Sequence, residues 1–215
     1  YYLEFFNGGQ SFSAAGGLLI STVAILFVLG LNLVTVKLFG EMEFWFAMVK
    51  ITAIIVLIGV GLWMIVTGFT STTGTVASIS NLWTHNGVFP KGLDGFLAGF
   101  QIAIFAFVGV ELVGTTAAET QDPERNLPKA INSIPIRIII FYVLALFVVM
   151  CVTPWDQINP KVSPFVNIFS QAGVASAAIV MNLVVLSSVM SSMNSGVFST
   201  SRMLFGLSSD QQAPK

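Results

Sequence analysis

Two residue types that carry much of protein chemistry are nearly missing here: the 215-residue chain has one cysteine and one histidine. A lone Cys151 excludes an intrachain disulfide framework and a cysteine-rich metal site. With His85 as the sole imidazole there is no HExxH pair, and neither a GxSxG turn nor a phosphate loop occurs, so enzyme chemistry has no motif to stand on. Charge is scarce as well, at 9% of residues against about 25% in soluble domains. The net charge of −1 lacks the basic excess that nucleic acid requires. The expectation is a protein that is not an enzyme, has no nucleic-acid partner and needs no cofactor or metal.

What fills the space is hydrophobic. Apolar residues make up 55% of the chain, and the mean hydropathy is +0.87. A helix that crosses a bilayer needs roughly 20 mostly apolar residues. Five stretches qualify: 14–36, 44–67, 96–118, 134–153 and 173–207. Between the last two, "VTPWDQINPKVSPFVNIFSQAG" reads as a loop carrying a small re-entrant or interfacial helix. No low-complexity linker divides the chain, so residues 1–215 are read as one all-α, multi-pass membrane domain. It opens on "YYLEFF", without an initiator Met or a basic stretch, and is expected to be an internal piece of a longer protein with no signal peptide.

Orientation follows from the cations. Lys37, Lys50, Arg125, Lys129, Arg137, Arg202 and Lys215 fall on one side of the five spans, and Lys91 and Lys161 on the other. The positive-inside rule then places the first residues outside and the last ones in the cytoplasm. Trp83, Phe89 and Trp155 lie in the outer loops, where an aromatic interface belt belongs.

Polar residues at membrane depth carry the functional reading. In "FAFVGVELVGTTAAET", Glu111 lies about four residues, or ~6 Å, from the middle of its span. An acid there costs on the order of 2.5–3.5 kcal/mol. It is tolerated as a protonated hydrogen-bonding strut between helices, or as a functional group facing a cavity. Gly109 and Gly114 flank it, each loosening a helix by about 1 kcal/mol relative to Ala. Gly95 and Gly99 form a GxxxG suited to close helix packing. Gly109, between β-branched Val108 and Val110, instead suggests an unwound turn with free backbone groups, the device by which transporters hold charged substrates at mid-membrane. Lys50 lies roughly 9 Å into the second span, where it either snorkels to the interface or points inward as a fixed or titratable cation. Ser188, Ser191, Ser192 and Ser195 share one helix face beside Asn194, a pattern that serves close packing or a hydrated pathway alike. His85, isolated from acids in sequence, is expected to be a solvated loop residue.

Several blocks together resemble a known family. "FAFVGVELVGTTAAETQDPERNLPKAI", "NLVTVKLFGEMEFWFAMVK", "INSIPIRIIIFY" and "NSGVFSTSRMLFGL" are similar to the amino acid–polyamine–organocation permeases, and within them to bacterial carriers of glycine, D-alanine and D-serine. The resemblance runs from Leu31 to the end of the chain. It implies a twelve-span, inverted-repeat transporter of which this chain supplies helices four to eight, with the remaining helices as partners in the bacterial inner membrane. It further implies proton-coupled import of small neutral amino acids. Carried over by position, the carbonyls of Phe105 and Val108 meet the substrate ammonium, while Ala106 and Gly109 shape the turn. Phe105 closes over the substrate, and Ser188 and Met193 form a wall. Glu111 and Lys50 act in coupling or gating, with the proton as coupling ion. The glycine-rich first helix that binds the substrate carboxylate is absent from this sequence. Another specificity (proline, aromatic residues, GABA) and a non-transporting assembly subunit remain as alternatives. An intramembrane enzyme lacks a base near Ser191, and a channel lacks a filter-like loop.

Overall fold

The computed structural model describes residues 3–4, 10–33, 36–71, 74–105, 107–110, 112–115, 120–159, 162–173 and 175–212. Among these, regular structure is helical apart from one isolated antiparallel bridge, Thr70 to Val76. In chain order, α1 covers Ala14–Asn32, α2 Val36–Thr67, α3 Gly92–Phe105, α4 Leu112–Thr115 and α5 Pro123–Ile138. Then come α6 (Ala145–Val152), α7 (Pro164–Gln171) and α8 (Ala175–Ser209). A π-helical stretch, Ile139–Leu144, joins α5 to α6. Four helical stretches are long and apolar enough to cross a membrane: Ala14–Asn32, Gly40–Thr67, Pro123–Val152 and Ser176–Ser209. The apolar stretch at 96–118 yields a shorter helix, because α3 stops at Phe105.

The chain divides into two compact units. The first comprises Tyr1–Ala53 and Ile179–Lys215, and so holds α1, the start of α2 and most of α8. Ser13 caps α1 by accepting a hydrogen bond from the Gly16 amide at 3.2 Å, which satisfies one of the amides that every helix start leaves free. Beyond the cap, α1 is apolar on every side. Leu18, Leu19, Val23, Leu26 and Phe27 are exposed, and Val28 is its buried residue. A helix that is hydrophobic all round matches lipid, not water. Its Thr22 hydroxyl turns back onto the Leu18 carbonyl at 2.8 Å, because a polar group in hydrocarbon has to be satisfied within the protein.

The second unit is Ile54–Ala178. Its core gathers Leu57 and Met64 of α2, Val148, Cys151 and Val152 of α6, and Ile168 of α7, all essentially without solvent contact. Gly61 permits the close approach of α2 to α6. A methyl group there would overlap the Val148 side chain and touch Val152. The connection after α2 is tied to the end of α6 by Asn81, whose amide donates to the carbonyls of Val76 (3.0 Å) and Cys151 (2.7 Å). The Ser78 amide also donates to the Cys151 carbonyl. These bonds occupy an acceptor that the end of α6 leaves without an intrahelical partner. Within α5, Pro128 and Pro135 each remove a ladder donor, and the helix widens to the π form four residues past Pro135.

Candidate functional site

Two features combine polar groups with apolar surroundings, one in each unit. In the second unit, the helical ladder fails between Phe105 and Leu112. Across the gap the amide of Phe107 donates to the Ile104 carbonyl (3.0 Å), Val110 to Phe107 (3.3 Å) and Val113 to Val110 (3.4 Å). All three bonds span three residues where an α-helix spans four. Gly109 has φ +95°, a conformation that glycine holds without the steric cost a Cβ brings. The cause is local: Val108 and Val110 are β-branched and favour extended backbone, and Gly109 between them removes the penalty for leaving the helix. The end of α3 therefore presents C-terminal carbonyls, the negative end of a helix dipole, in an otherwise apolar segment. Phe105 and Val108 both belong to this break, and Val108 is exposed. Ala106 and Glu111 lie outside the described residues.

In the first unit, Lys50 is one end of a hydrogen-bonded chain. Its Nζ donates to Ser191 Oγ at 2.7 Å, and Ser191 Oγ donates to Glu43 Oε2 at 2.7 Å. The other carboxylate oxygen of Glu43 accepts from Asn194 Nδ2 at 2.9 Å. Asn194 Oδ1 in turn accepts from Asn32 Nδ2 at 2.7 Å, and the same amide nitrogen reaches the Val28 carbonyl at 2.9 Å. Ser191 and Asn194 are 1% and 2% exposed, so the two groups that bridge the charges are shielded from solvent. Three helices meet here: α1 through Asn32, α2 through Glu43 and Lys50, and α8 through Ser191 and Asn194. Lys50 thus has a protein partner on α8.

The serine stripe of α8 resolves in the same way. Ser191 faces the chain of bonds, whereas Ser192, one residue on, is exposed and bonds back to the Ser188 carbonyl at 3.0 Å. Ser188 and Met193 are half-buried on α8 in the first unit. Glu43 escaped sequence reasoning. The signal that finds it is its spacing: seven residues before Lys50 on one helix, it falls within about 20° of the same face.

His85, expected to be a solvated loop residue, is a part-exposed residue of the connection before α3, and its Nδ1 lies 3.1 Å from Asp156 Oδ2. The indole of Trp155 donates to the His85 carbonyl at 2.9 Å, and Lys91 sits over the Trp155 ring at 5.7 Å. The Asn81 tether draws residues 78–87 toward the end of α6, and so toward a carboxylate some seventy residues away in sequence. A hollow of about 450 Å³ in the first unit is lined by Leu3, Leu19, Ile20, Val23, Ala24, Phe27 and Met190. With only apolar side chains around it, it has nothing to receive a zwitterion. No group of three or more metal-ligating side chains occurs among the described residues.

Comparison with known proteins gives the family. The family described as amino acid permease matches residues 1–215. The D-serine/D-alanine/glycine transporter of Escherichia coli (strain K12) is 65% identical over 195 residues, which is 91% of this chain and 42% of that protein. Amino-acid permease AapA of Bacillus subtilis (strain 168) is 54% identical over 192 residues, 89% of this chain and 41% of its own. The probable threonine/serine transporter YbxG of the same organism is 48% identical over 193 residues, 90% and 42% respectively. The chain therefore spans about two fifths of the length of the curated relatives it matches. The names of these relatives are those of transporters and permeases, as expected of a protein that is not an enzyme. No solved structure matches it.

Proposed function

The chain belongs to the amino acid permease family, and on that premise we propose that it forms part of a proton-coupled carrier importing small neutral amino acids of the glycine, D-alanine and D-serine type. The single observation that carries the mechanism is the interrupted helix at Gly109. An α-amino acid is a zwitterion, and its ammonium sheds water only where carbonyl oxygens replace the hydration shell. The end of α3 supplies such oxygens, with Phe105 and Val108 as the ammonium ligands and Ala106 and Gly109 setting the turn. Ser188 and Met193 contribute the wall that limits side-chain size, and Lys50 and Glu111 are the groups linked to the proton. The substrate carboxylate is left to helices outside this chain.

The reading places the protein in the bacterial inner membrane, with the cation-rich loops in the cytoplasm and the N-terminal end of this chain outside. Specificity for small substrates draws on the 65% identity to a carrier named for D-serine, D-alanine and glycine. Specificity for threonine and serine is the second reading, favoured by the similarity to a transporter bearing that name. The test is uptake of radiolabelled glycine by the full-length permease in vesicles with an imposed pH gradient, competed by D-alanine, D-serine, L-threonine, proline and phenylalanine. Competition by D-alanine and D-serine alone is the expected result. Accumulation that ignores the pH gradient, or competition by phenylalanine, refutes it.

A further inference from the structure

We infer that Glu43, through the Ser191 hydroxyl, is the proton-accepting partner of Lys50, so that the three residues form a relay leading from membrane depth toward the cytoplasmic end of α2. This rests on the proposed permease reading and adds to it a group that neither the motif resemblance nor the relatives' names point to. The geometry is directional. Lys50 Nζ donates to Ser191 Oγ and Ser191 Oγ donates to Glu43 Oε2, each at 2.7 Å. In the transfer, an N–H bond of the Lys50 ammonium breaks as an O–H bond forms on Ser191, and the original Ser191 O–H breaks as one forms on Glu43 Oε2. The products are a neutral amine, a regenerated serine hydroxyl and a neutral carboxylic acid. Net charge in the cluster does not change, so the step needs no counter-ion at membrane depth.

Each surrounding contact serves that step. Asn194 Nδ2 holds Glu43 Oε1 at 2.9 Å, leaving Oε2 to the serine. Asn32, on α1, fixes the Asn194 amide by donating to its oxygen, so Asn194 Nδ2 is the end that faces the carboxylate. The hydrogen-bonded chain contains two ionisable groups, Glu43 and Lys50, and they lie about 10 Å apart along the α2 axis at ~1.5 Å rise per residue. Across that rise the two side chains converge on one atom, Ser191 Oγ, which bonds to both. Glu43 is the shallower of the two, near the Gly40 end of the apolar stretch. With the orientation that the cations favour, this is the cytoplasmic end, where an accepted proton has water to leave to.

The experiment uses the full-length permease in proteoliposomes carrying a trapped pH indicator, as wild type and as Glu43→Gln, Ser191→Ala, Ser191→Thr and Glu41→Gln. Two quantities are read: glycine-induced proton entry with gradient-driven accumulation, and glycine counterflow, which exchanges substrate without net proton movement. The relay requires that Glu43→Gln and Ser191→Ala keep counterflow while proton entry and accumulation drop by roughly 100-fold, the low end of what a positioned proton-transfer group contributes. Ser191→Thr, which keeps the hydroxyl, and Glu41→Gln, on the exposed side of α2, retain both. Wild-type proton entry in Ser191→Ala overturns the relay, and so does equal loss of counterflow and accumulation in that variant at normal membrane levels. If Glu43→Gln does not insert, Ser191→Ala, which deletes one oxygen, decides alone. Absence of any glycine, D-alanine or D-serine exchange by the wild type refutes the permease reading instead, a result separable from either.

Discussion

Replacing Gly109 by alanine tests the interrupted helix at its tightest point. At φ +95° the added Cβ meets the following carbonyl, a clash that costs an L residue about 1–2 kcal/mol. The chain escapes by returning to negative φ, which re-forms regular helix and withdraws the carbonyls of α3 from the break. Either way, the binding-competent backbone is disfavoured by that energy relative to the alternative. A competent state reduced in population weakens apparent affinity in proportion, and at 1.4 kcal/mol per decade the expected rise in the KM for glycine uptake is about 5- to 30-fold. The comparison variant is Gly114→Ala, five residues on. Gly114 lies within helical α4, and a methyl there meets open space within the described chain. Alanine favours helix by about 1 kcal/mol over glycine, so Gly114→Ala leaves KM unchanged and does not lower expression. Concentration-dependent uptake in intact cells, normalised to membrane level, measures both. An unchanged KM in Gly109→Ala, or equal damage in the two variants, refutes the claim that the left-handed turn shapes the site.

Three further outcomes follow from the contacts. Gly61→Ala forces its new methyl onto Val148, and overpacking of this kind costs about 1–3 kcal/mol; the thermal midpoint in detergent falls, and adding Val148→Ala restores part of it. Asn81→Leu removes the side-chain donor to the Val76 carbonyl and leaves the Cys151 carbonyl with the Ser78 amide alone, at about 1–3 kcal/mol for a buried polar group left unmade; the same melting measurement drops, whereas Thr84→Ala on the exposed side of that turn leaves it in place. Lys50→Met removes the donor to Ser191 and leaves the Glu43 carboxylate without its counter-charge. Gradient-driven accumulation is lost in vesicles while substrate exchange persists, and loss of neither excludes Lys50 from coupling.

Much of this protein was settled by chain-local properties. Lipid-spanning helices follow from runs of apolar residues, because hydrocarbon selects composition and length whatever the neighbours are, and α1, α2 and α8 fall where those runs lie. The interruption at Gly109 was legible too, since a glycine between two β-branched residues loosens the helix without help from elsewhere. Other features were out of reach. Nothing in "GEMEFWFAMVK" tells whether Glu43 faces headgroups or protein, because a carboxylate near the end of a span satisfies either surrounding. Its bond to Ser191 joins residues 148 apart in sequence, and His85 finds Asp156 across 71. The α8 serines share a periodicity, yet Ser191 alone of the adjacent pair reaches the charges, while Ser192 turns back on its own helix. Hydropathy and backbone preference act within a few residues and so can be read along the chain. Which hydroxyl meets which carboxylate depends on how helices from distant segments are packed, and tertiary structure alone decided it.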